Sequence, residues 1–503
     1  MIAFRRALAR ALRAVALVSA VAVAALLVSA HVGTTDAYFD GAAGPYPVRV
    51  VVRMPGVIPG QAQVTVRVLD GRAARVFVQA AQWNVGTRGA PAPEPAGEVA
   101  GAPGTFAAPL WLMTRSSYMV NVTVDGPAGR GTAAVPVVAQ ATARLGMAPW
   151  MGWMLAVLGV LLVAGLLTLV FSAVRAGARP PGERPDPRRR LHARVATSVA
   201  AGVAALALLG GSRWWRAVDA GYLRAMYRPL ASTAVVTMDS AGRQTLRFTI
   251  TDSLFYAGRT TPLMPDHGKL MHLFAVREPY FDVLAHLHPT RLDSARFDTP
   301  LPGLPPGRYR VFADVVHESG LARTLVAVTE VPPGLPRSVP KGFGSDGDDA
   351  WIMNGPAEGA APMGDGLTLT WEGRGPFAAR ADTTLRFVLR DSAGRVVDVE
   401  PYMGMAAHAM VLREDGSVFV HLHPMGTISM AAQRRLLRRE AGDTTLHGAA
   451  QPADTADHAG HEVTYPGTVG FPFAFPEPGA YRVWVQLRQG GRVRTAAFAT
   501  QVR

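Results

Sequence analysis

The sequence predicts a mainly β protein of three immunoglobulin-like antiparallel β-sandwich modules carried on two or three transmembrane helices. Three observations carry this prediction. Short β-branched runs separated by Gly/Pro turns fill residues 46–140 and recur beyond residue 230. Long uncharged apolar stretches, bordered by arginine and tryptophan, lie between those regions. The C-terminal half also repeats itself at four places in the same order.

The first element, residues 1–30, is an arginine-rich start followed by the apolar run 14–30 and Val28-Ser29-Ala30, the small-residue pattern of signal cleavage. It is expected to be a cleaved signal peptide or an N-terminal membrane anchor, and either one exports the chain beyond residue 30. Residues 38–146 then alternate strand runs such as YPVRVVVRM, QVTVRVLD and SYMVNVTVDG with turns, which predicts an extracytoplasmic sandwich. This module holds no cluster of histidines or carboxylates, so its expected role is structural or partner-binding.

A transmembrane helix is expected over 147–174, where no charge interrupts the apolar run and Trp150 and Trp153 stand at its start. The segment 175–194 carries seven arginines against Glu183 and Asp186 and is expected to be a basic cytoplasmic loop. A second transmembrane helix is expected over 195–212, between Arg194 and Arg213, with Trp214 and Trp215 beyond it. The positive-inside bias then places the bulk of the chain on the periplasmic side of a bacterial inner membrane. The same bias accounts for much of the net charge of +14. A nucleic-acid partner is therefore not expected; the lipid bilayer is, together with a periplasmic or membrane protein partner.

Two related sandwiches, 225–332 and 364–503, are expected on either side of a Gly/Pro/Asp-rich linker, 333–363. Thr245-Leu246-Arg247-Phe248 recurs as Thr384-Leu385-Arg386-Phe387, and Arg277-Glu278 as Arg413-Glu414. His286-Leu287-His288-Pro289 recurs as His421-Leu422-His423-Pro424, and Tyr309-Arg310-Val311 as Tyr481-Arg482-Val483. The last match is offset further than the others, so the second copy carries an insertion of roughly 37 residues between about 425 and 470.

Eleven of the thirteen histidines lie between 267 and 461. On a strand, residues i and i+2 share a face, so each HLHP motif presents two imidazoles side by side. Asp415-Gly416 is a two-residue hairpin signal, and the register it sets puts His408 opposite His423 and Met410 opposite His421. All four side chains then share one face, close enough to close on one ion. In the first copy a pairing centred on Tyr280 sets His272 opposite His288 and Phe274 opposite His286. Asp266 and His267 lie just upstream, at a loop position that the pattern does not fix, and could complete this weaker first-copy set.

Imidazole with thioether suits copper, and Met403, Met405, Met425 and Met430 lie around the second hairpin. The candidate metal ligands are therefore His408, Met410, His421, His423, His272, His286 and His288, and the expected ion is copper. The insertion adds His447, His458 and His461, which could capture metal loosely. The complete absence of cysteine removes thiolate ligands, disulfides and a cysteine nucleophile.

The blocks KLMHLFAVRE…LAHLHP and YMGMAAHAMVLREDGSVFVHLHP, each followed by a GxYRV strand, resemble the YtkA-like and CopC-like β-sandwich domains of bacterial envelopes. That resemblance implies copper handling, and by position it implicates His272, His286 and His288, then His408, His421 and His423. No GxSxG, HExxH, Walker-type loop or dinucleotide fingerprint occurs, so no enzyme activity is expected. The sequence leaves two functions to weigh: metal handling in the envelope, or a non-enzymatic accessory or scaffolding subunit whose sandwiches dock onto a larger membrane complex.

Overall fold

The computed structural model describes residues 36–177, 187–240, 242–256, 260–333, 346–445 and 464–503. The segment 1–30 and the insertion histidines His447, His458 and His461 lie outside the described residues. Strands make up 46% of the structure and helices 20%, which establishes a mainly β chain built of several antiparallel sheets.

The first module comprises β1 (Ala37–Ala43), β2 (Tyr46–Arg53), β3 (Gly60–Val68), β4 (Arg75–Gln82), β5 (Glu94–Glu98), β6 (Thr105–Leu112), β7 (Ser116–Gly126) and β8 (Gly129–Ala139). Its strands follow the period-2 rule: in β3, Ala62, Val64 and Val66 are buried while Gln61, Gln63 and Arg67 are exposed. The order is β1-β2-β3-β6-β5-β4-β7-β8. The two end strands touch, so the sheet folds over a valine-rich core that includes Val48, Val64, Val120 and Val122.

A separate helical unit contains α1 (Pro149–Ala176) and α2 (Pro187–Arg224), which pack on one another. Both are long and apolar enough to cross a membrane by length and composition. The expected basic loop 175–194 is corrected at both ends. Arg175 belongs to α1, and Pro187 starts α2 with Arg188, Arg189, Arg190 and Arg194 already helical. Proline suits the first helical position and the residues after it are good helix formers, so nothing halts the helix before the apolar run.

The second module holds β9 (Ser232–Met238), β10 (Gln244–Ile250), β11 (Leu263–Met264), β12 (His272–Arg277), β13 (Leu284–Leu287), β14 (Thr290–Arg291), β15 (Arg296–Pro300), β16 (Gly307–His317), β17 (Ala322–Val331) and β18 (Ala350–Ile352). The third holds β19 (Ala360–Gly364), β20 (Leu367–Glu372), β21 (Thr383–Arg390), β22 (His408–Arg413), β23 (Phe419–Leu422), β24 (Thr468–Phe473), β25 (Gly479–Gln489) and β26 (Arg492–Val502). Each is two antiparallel sheets packed face to face. Leu246, Phe248 and Phe297 of one sheet meet Leu273, Val311 and Leu325 of the other in the second module. In the third, Leu385, Phe387 and Phe471 meet Val411, Val483 and Phe498.

Two segments depart from expectation. The linker 333–363 is partly woven into the sheets, since β18 pairs with β13 and β19 with β20. An uncovered β13 would leave a row of unpaired backbone groups at a sheet edge, and β18 covers it. The insertion contributes α3 (Met430–Glu440), capped by the Ser429 hydroxyl, which accepts from the Ala432 N–H at 3.1 Å. Its Leu436 packs on Met119 and Ala134 of the first module, and its Ala432 on Met264 and Val316 of the second. Glu440 accepts hydrogen bonds from the Thr87 N–H (2.7 Å) and hydroxyl (2.5 Å). One short helix thereby joins three β modules.

The second and third modules also pack directly, through the faces turned away from their own cores. Phe274, Val276, Phe312, Met410, Leu412, Phe419 and Trp484 form one buried cluster there. Phe312 and Phe419 stack with centroids 4.1 Å apart.

Candidate metal centre

The hairpin registers expected from sequence are the registers observed. Leu273 faces Leu287 and Phe274 faces His286 in β12/β13. Ala409 faces Leu422 and Met410 faces His421 in β22/β23. Because side chains alternate along a strand, the histidines point away from the module cores, onto the face where the two modules meet. They are thereby buried: His286 and His408 are fully so, and His272, His288 and His423 nearly so.

Two triads result, His272 with His286 and His288, and His408 with His421 and His423, each with its ligand nitrogens within 4.8 Å of one another. The triads touch across the interface, with His272 and His421 ring centroids 5.4 Å apart. Met410 stands opposite His421 in the register. It occupies the position equivalent to Phe274 and lies in the apolar cluster with Phe312 and Trp484, because the imidazole-bearing face is also the packing face.

The hydrogen bonds define which nitrogens carry protons. Nε2 of His272 lies 3.1 Å from the Asp266 carbonyl oxygen, which can only accept, so Nε2 holds the hydrogen and Nδ1 is bare. Gln486 donates its amide N–H to the Thr495 hydroxyl (3.1 Å), which turns its oxygen to Nδ1 of His286 at 2.8 Å. His286 therefore carries its hydrogen on Nδ1 and has a bare Nε2. The two bare nitrogens face each other at 3.2 Å. The second triad has the same plan: His408 donates Nε2–H to the Tyr402 carbonyl at 3.2 Å and sets Nδ1 3.1 Å from Nε2 of His421. Behind His421 stands Asp314, 3.6 Å away, in the place that Gln486 takes behind His286. These supports are exchanged, since Asp314 lies on β16 of the second module and Gln486 on β25 of the third.

Burial keeps the imidazoles neutral. It lowers His272 and His423 to about 4, and it holds His286, His288, His408 and His421 well below the usual histidine range, with neighbouring histidines acting in the same sense. Burial likewise pushes Asp314 and Asp349 up to about 7. Asp349 accepts from both the backbone N–H (2.9 Å) and Nδ1 (3.0 Å) of His288. That leaves Nε2 of His288 buried without a partner, as is Nε2 of His267, while the ring of His423 has only a poorly aligned contact with the Ile428 main chain.

One residue of the centre, Asp349, lay beyond what the sequence alone indicates, because it comes from the expected linker. His267, a candidate to complete the first-copy set, has its ring nearer His408 and His423 than His272. Asp266–Lys269 and Tyr402–Met405 are equivalent tight turns with left-handed residues His267-Gly268 and Met403-Gly404.

Comparison with known proteins matches the same two segments. Residues 232–332 and 361–503 match a family model described as a domain of unknown function, DUF8832. No curated protein matches the chain. Similar solved structures include Salmonella alpha-2-macroglobulin (9% identity, 94% of this chain, 24% of that one, TM-score 0.20). They include a chimeric titin Z1Z2 tandem (9% identity, 54% and 94% covered, TM-score 0.11). They also include the beta-glucuronidase of Parabacteroides merdae (7% identity, 93% and 78% covered, TM-score 0.16). The chain spans about a quarter of the macroglobulin's length, and scores this low carry no argument about fold or activity.

Proposed function

We propose that the protein is a membrane-anchored envelope protein, built of immunoglobulin-like sandwiches, whose second and third modules close on transition-metal ions, copper first among them, for metal handling. The observation that carries this reading is the pair of bare nitrogens of His272 and His286 facing each other at 3.2 Å. Two lone pairs at that distance repel unless a cation lies between them. Two nitrogens bound to one tetrahedral ion at about 2.0–2.1 Å would be roughly 3.3 Å apart.

The outward partners fit the same reading. Ligating histidines almost always donate their second N–H to a carbonyl or carboxylate, as His272, His288 and His408 do here. Donor chemistry supports copper: an all-imidazole set without thiolate suits Cu, Zn, Ni or Fe, and the divalent affinity order peaks at Cu(II). The exposed apolar lengths of α1 and α2 support anchoring, and the arginines at the start of α2 favour a cytoplasmic turn with the modules on the opposite side.

The test is metal content and Cu(I)/Cu(II) titration of the full chain in detergent, beside a His408/His421/His423 triple alanine variant. Stoichiometric copper in the wild type that falls in the variant is the expected result. A folded wild-type chain that binds no copper would refute the reading and favour a docking role, to be pursued by co-purification from membranes.

A further inference from the structure

Among the described residues two buried imidazoles belong to neither triad: His317, whose Nδ1 lies 2.7 Å from the Thr261 carbonyl oxygen, and His267. His267 is part of the second module, yet its ring lies against the third module's histidines, 4.9 Å from His423 and 5.2 Å from His408 between centroids. The distance to His272 of its own module is 6.1 Å. Its side chain is 4% exposed and its Nε2 has no hydrogen-bond partner. An orphaned buried nitrogen of this kind costs about 1–3 kcal/mol unless something binds it. The backbone holds it there at a price in strain, since His267 adopts φ 52°, a conformation that non-glycine residues rarely take.

The copies differ at this point. The equivalent turn of the third module carries Met403, at φ 49°, one residue after the carbonyl that orients His408. The first triad therefore has no equivalent fourth imidazole. Asp266 also favours the third-module site, since its carboxylate lies 3.7 Å from Nε2 of His267 and adds negative charge beside it.

We propose that His267 is the fourth ligand of the metal site formed by His408, His421 and His423. With the ring of His267 drawn in beside the three imidazoles whose nitrogens lie within 4.8 Å of one another, that site becomes a four-imidazole cage to which both modules contribute, whereas His272, His286 and His288 form a three-imidazole site with one coordination position left over. The inference rests on the metal-binding reading above. A fourth imidazole in place of water adds one protein–metal bond and closes the coordination shell, so the third-module cage is the one expected to fill first.

The probe is Co(II), titrated into the full chain in detergent and followed in the visible spectrum. Both sites should give tetrahedral bands, one closed by four imidazoles and one completed by water, and azide, which can replace a bound water, should perturb only the second. The wild type should bind two ions, the tighter one insensitive to azide. His267→Asn, chosen because asparagine tolerates the left-handed conformation, should weaken the tighter ion at least tenfold and make its band respond to azide. The other ion should stay within twofold. Circular dichroism checks the fold. Met403→His provides an independent arm and should make the second ion's band insensitive to azide. Wild-type affinities and azide response in His267→Asn would overturn the inference while leaving the metal reading intact; so would an unchanged azide response in Met403→His if the asparagine variant fails to fold. A wild-type chain that binds no Co(II) and no copper would sink both.

Discussion

Replacing His423 by leucine should make the metal-free protein more stable. The His423 ring is 5% exposed, and its nitrogens make no hydrogen bond of good geometry, the Ile428 main chain offering only a weak one. A buried polar group left unpaired costs about 1–3 kcal/mol. Leucine is close in volume and asks for no partner, and an imperfect fit among the neighbouring rings costs under about 1.5 kcal/mol. The net expectation is a gain of about 1–2 kcal/mol, or several degrees in melting temperature at roughly 2–4 °C per kcal/mol for a module of this size. Trp484, fully buried where the two modules meet, is a suitable fluorescence reporter. Adding copper should reverse the order. An ion at a hundred times its dissociation constant stabilises the wild type by about 2.7 kcal/mol, and the variant loses most of that gain. Variant and wild-type melting curves therefore exchange places between chelator and copper. A leucine variant less stable than the wild type in chelator, or equally stabilised by copper, would refute the claim that His423 is retained for an ion rather than for packing.

Three further outcomes are expected of the same structure. The metal-free chain should lose stability as pH falls from about 6.5 to 4: His272 and His423 stay neutral when folded down to about 4 and bind protons near 6.5 when unfolded. Asp314 and Asp349, near 7 when folded and near 3.8 when unfolded, oppose this across the same window. They are outnumbered by His286, His288, His408 and His421, which shift with His272. A denaturation midpoint that is flat or rising on acidification would contradict this. Phe419→Ala removes the ring stacked on Phe312 between the modules and should cost about 3–5 kcal/mol and weaken copper binding, read by titration calorimetry. Leu436→Ala, under the contact between α3 and the first module, should cost about 2–5 kcal/mol and raise the rate of limited proteolysis in the first module.

What the sequence revealed and what it hid divide along contact range. The His408/His423 facing depends on a two-residue turn at Asp415-Gly416, where Gly416 takes φ 75° and the Ser417 N–H bonds to Asp415 at 2.9 Å, and such turns set register locally. The repeat and the long second-copy insertion were equally legible, because matching strands need matching patterns. The packing of one module's outer face on the other was not. Phe274 and Met410 alternate with imidazoles on one face, and that pattern alone does not say whether solvent, metal or a second sheet covers it. Met410, which faces His421, also packs in the apolar seam. Strand β18 was hidden for a related reason: its pairing with β13 joins residues more than sixty positions apart, and the Gly/Pro/Asp composition around it speaks only of turns.

The two interlocked copies have the plan of a two-fold dimer drawn out on one chain, and that changes which substitutions can accumulate. In a symmetric dimer every mutation appears at both equivalent positions, so a residue suited to one site is imposed on the other. A tandem chain escapes that constraint, and the places where this one has used the freedom are visible: Asp314 against Gln486 behind the facing imidazoles, and His267 against Met403 in the paired turns. The residues that hold the seam together, Phe312 with Phe419 among them, keep the copies aligned while such positions diverge. Duplication here separates the evolution of two neighbouring sites without separating the sites in space.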